Sequence, residues 1–287
     1  MSELSGIGLD GKGMLWIDFY RYAAALFGRG SVPWFDQAEF AAFYGKAQAL
    51  LRSDVTILSL EPLAGAWIAQ ESSVRDVMRS KRRPGFPLRS LLQDAGLRTH
   101  IQQAIQPLRL SHPRQPLVLT LPSPRRWLSC AYRAAYGEDL DAAVAGDADE
   151  IDEASMFVAD FLRTFGESGI AAVLLIESPA GAPATEEELA LYGPLVNQAR
   201  HYRWQIGLLD PAPAAPLSMI PGLDFWVAPS LSKDMRGGVL IADEFWAGGD
   251  PPPVAEGHFR YATLAENLKP EIVIRQLAKL RGGDPRP

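Results

Sequence analysis

Acids and arginines stand at the ends of apolar runs along this chain, where an α/β enzyme would hold reactive groups. Residues 172–181 read AVLLIESPAG: a buried strand runs into Glu177, then Ser178, a proline and a glycine. The pattern recurs. MLWID at 14–18 ends in Asp18, with Arg21 close behind, and VTILSL at 55–60 meets Glu61. LVLTL at 117–121 is followed by Ser123, Arg125 and Arg126. Farther along come Asp210, Ser230, the pair Asp243 and Glu244, and Arg260 with Tyr261. A carboxylic acid raised in pKa by burial can protonate a developing carbanion near neutral pH. A guanidinium matches a carboxylate bidentately.

Glu61 and Glu177 are therefore the candidate catalytic acids. The candidate substrate contacts are Arg21, Ser123, Arg125, Arg126, Ser178, Asp243, Glu244, Arg260 and Tyr261. An acid at a strand end has a plainer use, capping the next helix, and that choice stays open for Asp18 and Asp210. No residue is assigned to a metal and no cofactor is expected. His100, His112, His201 and His258 show no HxH or HExxH spacing, and a single cysteine, Cys130, excludes a CxxC site. No GxSxG elbow marks a serine esterase.

The elements that must position these residues alternate. Strands are expected at 14–18, 55–60, 117–121, 172–176, 204–208, 224–228, 238–242 and 259–263. Their continuous apolar runs suit strands covered on both faces, as in parallel sheets. Helices are expected at 36–52 behind an Asp cap, at 87–107 with an interruption at Gly96, and at 149–167. A further helix follows Thr185 with three glutamates in its first turn, and the last starts at Pro270. Eight strands in this order predict a single (β/α)8 TIM barrel over 1–287, irregular around strands 1 and 6–7. Flexible ends are expected at about 1–12 and 282–287. The segment between strands 6 and 7, PSLSKDMRGG, is too short for a full helix, and FYRYAAALFGRG after strand 1 offers no GxGxxG phosphate loop.

The chain has 287 residues and a net charge of −6, with a pI near 5.3. That balance argues against nucleic acid or an anionic membrane as the partner. No apolar stretch approaches the ~18 residues of a membrane span, and the polar N-terminus has no signal-peptide pattern. A cytoplasmic protein acting on a small molecule is the expectation, with room for a homodimer.

Several motifs give the chain a family likeness. Ile-Glu-Ser-Pro-Ala-Gly at 176–181, LALYGPLVNQAR at 189–200, PLVLTLPSPRRWLSCAY at 116–132 and ENLKPEIVIRQLAKL at 266–280 occur in consistent order. In this the chain resembles the uroporphyrinogen decarboxylase superfamily, which includes corrinoid-linked methyltransferases and, more distantly, cobalamin-independent methionine synthase. The likeness runs from about residue 55 onward. The family's N-terminal Arg-Gln-Ala-Gly motif is absent, hinted at only by Trp16 and Arg21–Tyr22. Its catalytic aspartate falls near LSLEP, where Ser59 survives, Leu60 takes the acid's place and Glu61 follows. Its active-site tyrosine falls near Cys130 or Tyr132, and its late histidine has no counterpart before Asn267. These departures set the chain apart from the decarboxylase itself, and the lack of a His/Cys/Cys set separates it from zinc-dependent methyltransferases.

The resemblance implies a metal-independent enzyme acting on a small carboxylated organic substrate, with a decarboxylase-type lyase as the leading expectation. Three alternatives stand beside it. One is a methyltransferase relative working with a corrinoid or folate partner. Another is a non-catalytic barrel serving as a binding or scaffold subunit. The third is a retaining glycosidase using Glu177 and Glu244, although the Asn that usually precedes the first acid is missing.

Overall fold

A computed structural model describes residues 13–28, 30–177, 183–213 and 222–282. Eight parallel strands form one sheet in the order β1-β8-β7-β6-β5-β4-β3-β2, curled into an almost closed (β/α)8 barrel. The element order begins with β1 (Leu15–Asp18), α1 (Tyr20–Phe27), α2 (Gln37–Leu51), β2 (Thr56–Ser59), then α3 (Leu60–Gln70), α4 (Ser72–Arg79), α5 (Phe86–Gln93) and α6 (Ala95–Ser111). Next come β3 (Leu117–Pro122), α7 (Pro124–Tyr136), α8 (Ala142–Ala145), α9 (Ala148–Arg163) and β4 (Ala172–Ile176). The remainder is α10 (Glu186–Ala190), α11 (Gly193–Tyr202), β5 (Gln205–Leu209), β6 (Phe225–Ala228), β7 (Gly237–Leu240), α12 (Asp243–Trp246), β8 (His258–Thr263) and α13 (Pro270–Leu280).

The local signals act as their chemistry dictates. Asp36 caps α2 by accepting the Glu39 amide, and Thr185 and Glu188 form a reciprocal capping box on α10. The predicted helix at 87–107 is two helices. The break falls at Asp94, whose carboxylate caps α6 through the Leu97 amide and accepts the Trp67 indole N–H. Gly96 lets that ring close in, since a Cβ there would lie 2.6 Å from it. Among the described residues no helix links β6 to β7, as expected, and none links β5 to β6 either.

Strand alternation fills the barrel in layers. Trp16, Phe225 and Phe259 meet in the interior toward the N-terminal ends, with Trp16 stacked on Phe259 at 4.3 Å and edge-on to Phe225 at 5.6 Å. Gly207 and Gly238 make room: a Cβ on either would sit 2.3 Å from the Phe225 or Phe259 ring. This aromatic plug closes one end and leaves the C-terminal end open.

The barrel is incomplete between β1 and β2, which share no ladder. Side chains satisfy the facing backbone groups instead, as buried N–H and C=O groups require. The Leu15 amide donates to Asp54, the Ile17 amide to Ser53 and the Ile57 amide to the Tyr44 hydroxyl, while the Tyr20 hydroxyl donates to the Ile57 carbonyl. This seam brings the end of β1 beside the end of β2.

Candidate active site

The open end holds a cavity of ≈ 580 Å³, within the range of small-molecule sites. Its polar wall includes Asp18, Arg21, Ser59, Glu61, Thr120 and Arg126, and its apolar wall includes Leu121, Ile176, Leu209 and Leu240. In a barrel of this kind the C-terminal ends of the strands carry the chemistry.

Asp18 lines the cavity from the end of β1. The Ser59 hydroxyl donates to Asp18 Oδ2 at 3.2 Å, and the Thr120 hydroxyl donates in turn to Ser59 at 3.0 Å. The Tyr20 amide approaches Oδ1 at 3.4 Å, so the helix-capping use of Asp18 is present but weak. Burial pushes the Asp18 carboxyl above the ordinary range, and the nearby charge of Glu61 adds to the rise. The Tyr20 and Ser59 hydrogen bonds and the charge of Arg21 oppose it. Tyr261 lines the same cavity, inward-facing like Phe259 two residues earlier. Burial first, and then the charge on Asp18, hold its phenol well above its usual pKa.

Glu61 opens α3, where an acid suits the helix dipole. Its Oε2 accepts from Arg126 Nη2 at 2.6 Å, and its Oε1 lies 3.8 Å from the Cys130 sulfur. Burial, reinforced by Glu61, raises the Cys130 thiol. Arg126 also reaches the Glu177 carbonyl at 3.4 Å. Arg21 lies exposed on the cavity rim and forms no hydrogen bond or ion pair among the described residues.

Glu177 is placed differently. Its carboxylate accepts from the Tyr192 hydroxyl at 2.6 Å and from Arg125 Nη2 at 3.1 Å, while Arg125 Nη1 reaches Glu188 at 3.3 Å. Burial, the largest single influence, lowers the Arg125 pKa, but the charges of Glu177, Tyr192 and Glu188 and the Glu177 hydrogen bond together outweigh it and the net shift is upward. Residue 177 touches the cavity wall, yet its acid group is already spoken for. Ser123 is fully buried and caps α7 through the Arg126 amide, so its oxygen serves the helix.

The other expected contacts lie elsewhere. Arg260 alternates away from the interior and donates to the Leu280 carbonyl of α13, and burial lowers its pKa. Asp243 and Glu244 are exposed on α12 and do not line the cavity, so Glu177 and Glu244 do not face each other across it. Asp210 turns back on its own loop by accepting the Ala212 amide at 2.9 Å, and its pKa is raised mainly by burial. Ser178 lies outside the described residues, as do residues 1–12 and 283–287.

Two site groups not among the candidates are Ser59 and Thr120 as a hydroxyl chain to Asp18. Their signal is a polar residue late in an otherwise apolar strand, as in VTILS and LVLTL. No protein-family model and no curated protein matches the chain. Among the described residues no three His, Cys, Asp or Glu side chains gather in a metal-binding group, and no helix is long and apolar enough to cross a membrane.

Proposed function

We propose that this barrel is a metal-independent lyase of decarboxylase type, a divergent relative of the uroporphyrinogen decarboxylase superfamily acting on a small carboxylated substrate. The observation that carries the reading is the meeting of Asp18, Arg21 and Arg126 in one cavity beside an apolar wall. Asp18 takes the proton-donor role first given to Glu61 and Glu177. Glu177 is held by two partners, and Glu61 is held by Arg126.

Arg21 holds a carboxylate that the substrate retains, with Arg126 in support. The carboxylate that leaves sits against Leu121, Ile176, Leu209 and Leu240, where loss of hydration favours its neutral product. Its carbon–carbon bond breaks, CO2 departs, and the electron pair stays on the substrate carbon. Protonated Asp18 delivers its proton to that carbon and recovers one from water. The Ser59–Thr120 chain holds the carboxyl in place. The reading carries with it a cytoplasmic setting, and homodimer formation is open to measurement.

The ion pairs on Arg125 and Arg126 favour a second reading, a barrel that binds its ligand without converting it. One experiment separates the two. Carboxylated metabolites are screened for thermal stabilisation, and stabilising compounds are then assayed for CO2 release. Asp18→Asn should keep binding and lose about 10²- to 10⁴-fold in turnover, the usual contribution of a general acid. Binding without CO2 release from the wild type selects the second reading. Wild-type turnover by Asp18→Asn removes Asp18 from the chemistry.

A further inference from the structure

A second concavity of ≈ 620 Å³ adjoins the cavity and shares Tyr20, Arg21 and Pro62 with it. Its character is different. Ala24 and Ala25 of α1 and Ala66 and Ala69 of α3 supply small side chains, and Val32, Trp34 and Phe35 supply apolar bulk. On α3, Pro62, Ala66 and Ala69 recur at helical spacing and so share one face. The aromatic side is braced. Trp34 stacks on Tyr20 at 5.1 Å and Phe35 stacks on His100 at 5.0 Å, yet Phe35 remains 47 % exposed. Arg21, with no hydrogen bond or ion pair among the described residues, stands where the two spaces join. One carboxylate, Glu266, also lines the groove.

We infer that the ligand is an amphiphilic carboxylate: its charged end lies at Arg21 in the barrel mouth and its extended alkyl or aryl arm lies in the alanine-floored groove. The inference rests on the carboxylate reading of the cavity and adds the substrate's other half. Continuity carries it, since Arg21 lines both spaces and a molecule held there meets protein in two directions. One is the polar mouth, with Asp18 and Glu61. The other is an apolar trough whose exposed aromatic ring gains by being covered.

The test is calorimetric titration of the wild-type chain with butanoate, hexanoate, octanoate and decanoate, and with octanol as the uncharged comparator. Affinity should rise by about fourfold per added methylene until the groove is filled. Ala69→Trp and Ala25→Trp, both at exposed helix positions, should flatten that rise. Arg21→Gln should weaken all four acids by a similar factor. A flat series in the wild type overturns the groove as a subsite and leaves the carboxylate reading standing. A steep series with octanol binding as tightly as octanoate, untouched by Arg21→Gln, overturns the carboxylate reading instead. A gradient that survives both tryptophan variants places the arm elsewhere and overturns the inference.

Discussion

Arg125 and Arg126 leave the same turn of α7 in different directions, and each meets a glutamate. Arg125 meets Glu177, with side-chain exposures of 13 % and 2 %, and shares that acid with Tyr192. Arg126 meets Glu61, with exposures of 21 % and 39 %, and both line the cavity. Residue types are identical and both pairs lie close to the cavity, so charge alone does not mark a site. What differs is burial and the access of water. The first pair is buried and ties the end of β4 to α7, to Glu188 of α10 and to Tyr192 ahead of α11. The second stands partly exposed on the cavity wall.

The comparison breaks most visibly through stability. Arg125→Met leaves Glu177 buried with only Tyr192, and loss of one member of a buried pair costs about 3 kcal/mol or more. Arg126→Met removes a partly exposed pair, worth about 1 kcal/mol at most. Urea unfolding of the two variants should show that order. Equal losses would mean that the two pairs are energetically alike and that burial has been given the wrong weight here.

Ligand binding should reverse the order. Arg126→Gln removes a charge-assisted contact, so a stabilising carboxylate should bind about 10- to 100-fold more weakly. Arg125→Gln, measured on the folded fraction, should bind it as the wild type does. Calorimetry on both variants decides the point. Weaker binding only in Arg125→Gln would exchange the roles assigned to the two arginines.

This asymmetry also explains what could be read from the sequence. The eight strands were legible because each is a short apolar run bounded by turn residues, and all eight lie close to the expected positions. The caps at Asp36 and Thr185 were legible because capping is local. Arg125 and Arg126 could not be told apart, since their fates depend on Glu61, Glu177 and Tyr192 converging from three separate elements. Arg260 and Tyr261 show the same limit within one strand: register decides that Tyr261 faces the cavity while Arg260 faces α13. Asp18 was visible as a strand-end acid. Its rank was not visible, because that comes from the β1–β2 seam and from Ser59 and Thr120 on neighbouring strands.

Asp18 supplies a smaller effect that sharpens the comparison, because its signature is the opposite of a salt-bridged acid's. Its folded pKa is raised, so between the unfolded value near 3.9 and the folded value the native state binds more protons than the unfolded chain. The stabilisation from this proton is fully present below about pH 4 and is lost as pH rises through the folded pKa. Its slope can reach about 1.4 kcal/mol per pH unit for one proton. Asp18→Asn lacks the titration, so wild-type stability minus variant stability should fall with rising pH across that window. Asp210, also raised, contributes equally to both proteins and cancels. Arg21 opposes the rise on Asp18, so in an Arg21→Gln background the same difference should persist to higher pH. A difference that is flat, or that grows with pH, would put Asp18 among the acids held as anions and return the proton-donor role to Glu61.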